Sequence, residues 1–547
     1  MTQADEDTAT PPPGRLARHA PFLAILGSAA LLRLVLAYVA FPTQGFASDM
    51  DQFASWATVL SSHGPSAFYQ SSGANYPPGY MYVLWFLGAL SGPVGSLFGM
   101  TSNEALLQML KLPPMLADVA IGVLLYRAGS SWFGRSAGLV AASLYLFLPM
   151  TWYDSALWGQ VDAVGSLLML AALLALVDGW SEPAIALAAL GVLVKPQDAV
   201  CLVVVLPVLL RRHLLRVGSG PRPRLGARLA ALDRRLRGAL TYQGPLRLVS
   251  TVLVGTVVGV VPLLPFDIQT FASADLRGNL LVGHVAGLAG LFGSVAGQFS
   301  VLTANAFNGW SFVGSSPLTT LAGSGGGTWT LDSMTVLGGV SAVQLGTALL
   351  VVVGLTVVAG LLVRDDRTAI LLAFAVVAFA FYAVPTRVHE RYLFALWPAG
   401  ALLACNVRWG ALPYSAAALM NTVNLHAVLG SSQQIGGPPG GYGGFGGTTP
   451  GGGGFGGGGF GGSGGTGFGG SGGGGFGGFG GFGGFGGGGA SGGASSISLP
   501  FVDLARSEPM VAAVAIGQTL LFVALFAVWV AVAFGPAARR VWGRVRA

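Results

Sequence analysis

The chain has 547 residues, of which 53% are hydrophobic and only 9% charged. A soluble globular protein carries about 25% charged residues, so this composition excludes that class and points to membrane-embedded helices. The formal net charge of +7 does not indicate nucleic acid, because the arginines form two clusters that flank apolar runs. Ten lie between Arg211 and Arg247 with one acid, Asp233, among them, and Arg539, Arg540, Arg544 and Arg546 close the chain. The positive-inside rule places both clusters in the cytoplasm. Cys201 and Cys405 sit in apolar stretches, which suits neither a disulfide framework nor a metal site.

Residues 1–20 are polar, partly acidic and Pro-rich (Pro11, Pro12, Pro13), unlike the short basic start of a cleavable signal. They read as a cytoplasmic tail, with 21–41 as a retained first span. A first external loop follows at 42–104. Within it 80–100 is apolar, but Pro77-Pro78-Gly79 opens it and Gly92-Pro93 interrupts it, which suits an interfacial or re-entrant helix. With that reading 106–126 returns to the cytoplasm, where Arg127 and Arg135 belong, 138–150 goes out and 161–177 comes back. Segments 184–194 and 199–210, around Lys195-Pro196-Gln197, are each short of the roughly 20 residues a span needs. They read as a broken hairpin dipping from the cytoplasm.

After the basic cytoplasmic loop 211–247, residues 248–264 go out to a long external loop at 265–335. The chain then runs in through 336–363, out through 369–384, in through 392–407 and out through 412–429. A final helix at 509–534 leads to a basic tail at 535–547. The expected fold class is an all-α polytopic membrane protein of roughly 11–13 transmembrane helices. Its transmembrane catalytic region covers 21–435. Between 436 and 498 lies an external loop of low complexity. Residues 436–494 hold 39 glycines and eight phenylalanines, with no periodic helix or strand pattern, and read as disordered.

By this parity the unusual polar residues gather on the outer face. They are Ser48-Asp49-Met50-Asp51-Gln52 followed by Trp56, then Asn75-Tyr76-Pro77-Pro78, Trp158-Gly159-Gln160-Val161-Asp162, Asn305-Ala306-Phe307-Asn308, and Arg387-Val388-His389-Glu390-Arg391-Tyr392. Lys195, one of two lysines, would point toward that face from the hairpin apex. Carboxylates, cations, amides and aromatics together suit a charged, sugar-like substrate.

The order Asp-x-Asp, Tyr-Pro-Pro, Trp-Gly-Gln-x-Asp, Lys-Pro-Gln, His-Glu-Arg-Tyr-Leu, over about residues 33–393, resembles the GT-C superfamily of membrane glycosyltransferases. Within it the likeness is to dolichyl-phosphate-glucose-dependent glucosyltransferases of N-glycan assembly and to the mannosyltransferase that adds the second GPI mannose. The resemblance implies a GT-C-like bundle and inverting, metal-independent transfer of a hexose, mannose rather than glucose. The donor would be a polyprenyl-phosphate sugar, and the acceptor an extracytoplasmic glycan, lipid or protein. It implies Asp49 as catalytic base, with Asp51 beside it. His389 and Arg391 would stabilise the departing phosphate, and Lys195, Glu390, Gln160, Asp162, Asn305, Asn308, Tyr76 and Arg33 are further candidates for substrate or phosphate contact. No cofactor is expected, although Asp-x-Asp also leaves a divalent cation at Asp49 and Asp51 open.

Structural alternatives stand beside several of these. Asp49 and Asp51 also suit a helix cap, Lys195 a headgroup contact, Gln160 and Asp162 a helix start, and Tyr76 a loop-shaping role. Arg33 lies inside span 1, where a charge is usually paired, so an ion pair with Asp118 competes with a lipid-phosphate contact. The rival function is a secondary transporter or lipid flippase, in which broken helices also occur. A third is a surface-interaction protein that works through its Phe/Gly loop.

Overall fold

The computed structural model describes residues 15–215, 227–235, 245–313, 330–406, 410–430 and 495–545. The Gly/Phe-rich loop up to residue 494, most of the N-terminal tail and much of the basic loop lie outside the described residues. The bundle consists of α1 (Arg15–Val35), α2 (Ala47–His63), α3 (Pro78–Phe98), α4 (Leu112–Phe133), α5 (Arg135–Leu146), α6 (Asp162–Val177), α7 (Ser181–Val194), α8 (Leu202–Leu209), α9 (Pro245–Val260), α10 (Leu280–Gln298), α11 (Ala342–Val363), α12 (Arg367–Ala383), α13 (Leu396–Asn406), α14 (Ala411–Leu429) and α15 (Glu508–Val545).

Among the described residues, seven helices are long and apolar enough to cross a membrane. They become eight if α5 and the helix Pro149–Trp158, bent by 49°, form one span. Helices α6, α7 and α12 are apolar but shorter. The chain is an integral membrane protein of all-α class. Length and composition alone thus support fewer full spans than the 11–13 expected.

Two elements differ from expectation. Helix α3 runs unbroken through Gly92-Pro93, because an apolar helix keeps its other backbone bonds when one proline removes a donor. Helix α10 lies within the expected external loop 265–335, yet it is 19 residues long and meets the span criterion. Asn279 starts it by accepting from the backbone N–H groups of Leu281 and Val282. The break at Lys195 is as expected. Pro196 disfavours helical backbone in the residue before it, and Lys195 is extended at φ −144°, ψ 144° between α7 and the 3-10 turn Pro196–Cys201.

Helix α12 is buried at nearly every position from Ala369 to Ala380, which explains its uniformly apolar sequence. Helices α4 and α5 approach so closely that a Cβ on Gly129 would stand 2.8 Å from the Gly138 Cα, the close contact that small residues allow between membrane helices. A second core joins α2 and α3 to Phe68, Tyr69, Phe266 and Ile268, so the segment 42–104, expected as an external loop, is packed rather than loose. Two short ribbons complete the fold. Strand β1 (Gln44–Gly45) pairs in parallel with β4 (Ser495–Ser496), and β2 (Thr335–Leu337) pairs antiparallel with β3 (Val340–Ser341).

Candidate active site

The polar cluster starts in the first turn of α2, where Asp49 sits. One carboxylate oxygen, Oδ2, accepts from the Trp158 indole N–H at 2.8 Å and from the Gln160 amide at 2.6 Å. Both donors belong to a turn that the left-handed Gly159 (φ 85°) reverses. Gln160 has a fixed orientation, because its Oε1 accepts from Lys195 Nζ at 3.0 Å. Lys195 also donates to Asp162 Oδ1 at 2.8 Å, which Gln197 approaches at 3.2 Å. One hydrogen-bonded line therefore joins Asp49, Gln160, Lys195 and Asp162, contributed by α2, the turn after Trp158, the hairpin break and the start of α6.

Arg391 closes the cluster from the other side. Its Nη1 donates to Glu390 at 2.7 Å, its Nη2 stands 3.8 Å from Asp49 Oδ2, and its Nε stands 3.9 Å from Asp162 Oδ2. The guanidinium lies over the Trp158 ring, 5.4 Å from its centroid. Burial alone would weaken its charge, but Asp49, Glu390, Tyr76 and Asp162 hold it firmly protonated. His389 is neutral near pH 7. Burial keeps it well below the usual imidazole range, and the nearby charges of Arg391 and Lys195 add to the effect. Burial also raises Glu390, with Arg391 pulling it back. The cation that this loop brings to the cluster is thus Arg391, while His389 offers a neutral ring and Arg387 pairs with Asp332.

Tyr76 lies beneath Lys195, with Nζ 5.3 Å from its ring centroid, and it packs against Phe53 and Trp56. Burial raises the Tyr76 phenol, partly offset by Lys195 and Arg391. A cavity of about 10 Å³, the size of one water, opens behind Arg391 and is lined by Asp162, Ser166, Gln197 and Asp198 among others. A Cβ on Gly165 would stand 2.0 Å from Asp198 Oδ2, so α6 needs glycine there to admit that carboxylate.

Asp49, Gln160, Asp162, Lys195, Tyr76, Glu390 and Arg391 therefore come together, with His389 at the edge, 3.9 Å from Glu390 Oε2. Asn305 meets His389 through backbone bridging, in a left-handed conformation at φ 74°. Three candidates lie apart. Asp51 is exposed; two residues along a helix is a rotation of about 200°, so Asp49 and Asp51 do not form one clamp. Asn308 is buried, donating to the Tyr382 carbonyl and capping Trp310. Arg33 gives its guanidinium to Asp118 at 2.9 Å, to Thr151 and to the carbonyls of Ala29 and Leu146.

Trp158 belongs to a motif noted in the sequence, but its contact with Asp49 was not anticipated. Neither was Asp198, whose only signal is its place after Lys-Pro-Gln. Among the described residues, no group of three or more His, Cys, Asp or Glu side chains is arranged to hold a metal ion.

Fold and site define an α-helical integral membrane protein with a largely buried cluster of carboxylates and cations. No family model matches the sequence, and no curated protein matches it. Among solved structures it is similar to the oligosaccharyltransferase AglB of Archaeoglobus fulgidus in complex with an inhibitory peptide and a dolichol-phosphate, at 14% identity and a TM-score of 0.36. It is also similar to ArnT of Cupriavidus metallidurans bound to undecaprenyl phosphate, at 15% identity and a TM-score of 0.39. The matches cover 77% and 76% of this chain, with 53% of AglB and 71% of ArnT. The chain thus spans about half the length of AglB.

Proposed function

We propose that this protein is a GT-C-type inverting glycosyltransferase that moves a hexose, mannose in our reading, from a polyprenyl phosphate to an extracytoplasmic acceptor. The observation that carries this reading is the pairing of Asp49 with Arg391 across 3.8 Å, on a wall formed by Trp158 and Gln160. A single in-line displacement needs a base for the acceptor hydroxyl and a cation for the departing phosphate, and this pair brings both to one place. Asp49 takes the proton of the acceptor hydroxyl as that oxygen bonds to the anomeric carbon. The bond from that carbon to the phosphate oxygen breaks, its electron pair leaves with the phosphate, and Arg391 stabilises the charge.

Lys195 and Gln160 hold the wall, and Asp162 keeps Lys195 in place. The extracytoplasmic location rests on the arginine distribution. It also suits a lipid donor, since nucleotide sugars are kept in the cytoplasm. The broken hairpin at Lys195 favours the transporter or flippase reading as the alternative.

The test incubates purified protein with radiolabelled polyprenyl-phosphate mannose or glucose and candidate acceptors. Asp49→Asn lowers turnover by about 10²- to 10⁴-fold, the usual contribution of a general base, and Asp51→Asn leaves it within about twofold. Equal turnover of wild type and Asp49→Asn would remove Asp49 as the base. Solute-dependent transport with no sugar transfer would favour the alternative.

A further inference from the structure

We propose that the segment Ser495–Pro500, which returns to the bundle after residue 494, positions the Trp158 wall and through it the carboxylate of Asp49. The inference rests on the glycosyltransferase reading for its kinetic part only.

Two separate paths of contact lead from this segment to Trp158. In the first, β4 pairs in parallel with β1, Gln44 opposite Ser495 and Gly45 opposite Ser496. The next residue, Phe46, stacks on Trp158 at 4.5 Å and donates its backbone N–H to the Trp158 carbonyl at 3.2 Å. Gly45 makes this approach possible, because a Cβ there would stand 2.0 Å from Met50 Sδ and 2.9 Å from the Trp158 carbonyl oxygen. In the second path, the Pro500 carbonyl accepts from His426 Nε2 at 2.7 Å. His426 Nδ1 then lies 2.9 Å from the Tyr153 hydroxyl, and Tyr153 begins the π-helical turn Tyr153–Trp158. Ile497, between the two anchors, is fully buried.

The segment thus grips both ends of the turn whose last side chain donates to Asp49. Loss of either grip frees the Trp158 indole to drift from the carboxylate. A displacement of about 1 Å at a reacting group can cost on the order of 10²-fold in rate.

The experiment compares the full chain with Ser495→Pro/Ser496→Pro, which removes both backbone donors of β4, and with Ser495→Ala/Ser496→Ala, which keeps them. His426→Phe severs the second path independently. Hydrogen exchange, which needs no activity, should show faster exchange in peptides covering 44–50 and 153–160 for the proline pair, and in 153–160 for His426→Phe. The alanine pair should match wild type. In the transfer assay the proline pair should lose about tenfold or more in kcat with the donor KM little changed, as expected of misplaced catalytic groups.

Unchanged exchange at 153–160 in the proline pair would overturn the grip on the wall. Faster exchange with kcat per folded molecule unchanged would overturn its role in positioning Asp49. Absence of transfer by wild type would defeat the glycosyltransferase reading, leaving exchange to decide the grip.

Discussion

Arg33 and His389 show what burial asks of single residues. Arg33 is 1% exposed and spends its guanidinium on Asp118, Thr151 and two carbonyls, while Asp118 also accepts from Tyr145 and Ser155. Replacing one member of such a pair strands the other charge, at a cost of about 3–5 kcal/mol. Arg33→Leu should therefore lower the unfolding temperature in detergent sharply, and Arg33→Leu/Asp118→Leu should recover much of the loss. His389 is neutral in the fold, whereas the unfolded chain titrates near 6.5. The unfolded state therefore binds the extra proton, and stability falls as pH drops below about 6.5. His389→Gln should flatten that acid limb below about pH 6.5, read as the pH slope of thermal unfolding. Asp49, Gln160, Lys195 and Arg391 were legible in the sequence, because polar residues are costly in so apolar a chain. The family resemblance put Asp49 ahead of Asp51, but the residue types alone could not, since that depends on which face of α2 meets Trp158.

At the scale of elements, the break at Lys195 could be read from Pro196 and the short segments on either side. Helix α3 could not, because Gly92-Pro93 in an apolar run signals interruption as readily as a tolerated proline. Helix α10 was hidden by the glycines scattered through Leu280–Gln298. Glycine also controls how elements meet at the site. Gly165→Ala would drive its Cβ into Asp198, forcing the 3-10 turn Pro196–Cys201 away from α6 and drawing Lys195 off Asp162. The expected result is a loss of turnover on the order of tenfold or more with a raised donor KM, measured beside Gly259→Ala. Gly259 has open space around its Cβ and serves as the control.

Across the whole molecule, the membrane class and helical architecture followed from composition and apolar run length alone. The pairing of residues 495–496 with Gln44–Gly45 did not, since a two-residue strand after a low-complexity tract carries no pattern. The described residues on either side of that tract meet. A Cβ on Gly430 would lie 2.3 Å from Val502 Cγ2 and 3.4 Å from Leu499 Cβ. A short linker can therefore replace residues 436–490, and closing a shorter loop costs less entropy. The deletion that keeps Ser495 onward should retain transfer within about threefold, equivalent to about 0.6 kcal/mol, and one extended through Pro500 should not. Because Gln44–Gly45 finds its partner strand only at Ser495–Ser496, a nascent chain translated as far as α14 carries Asp49, Trp158, Gln160, Lys195 and Arg391 without the clamp that aligns them. On the positioning proposed above, the cluster then stays unaligned until residues 495–500 have left the ribosome.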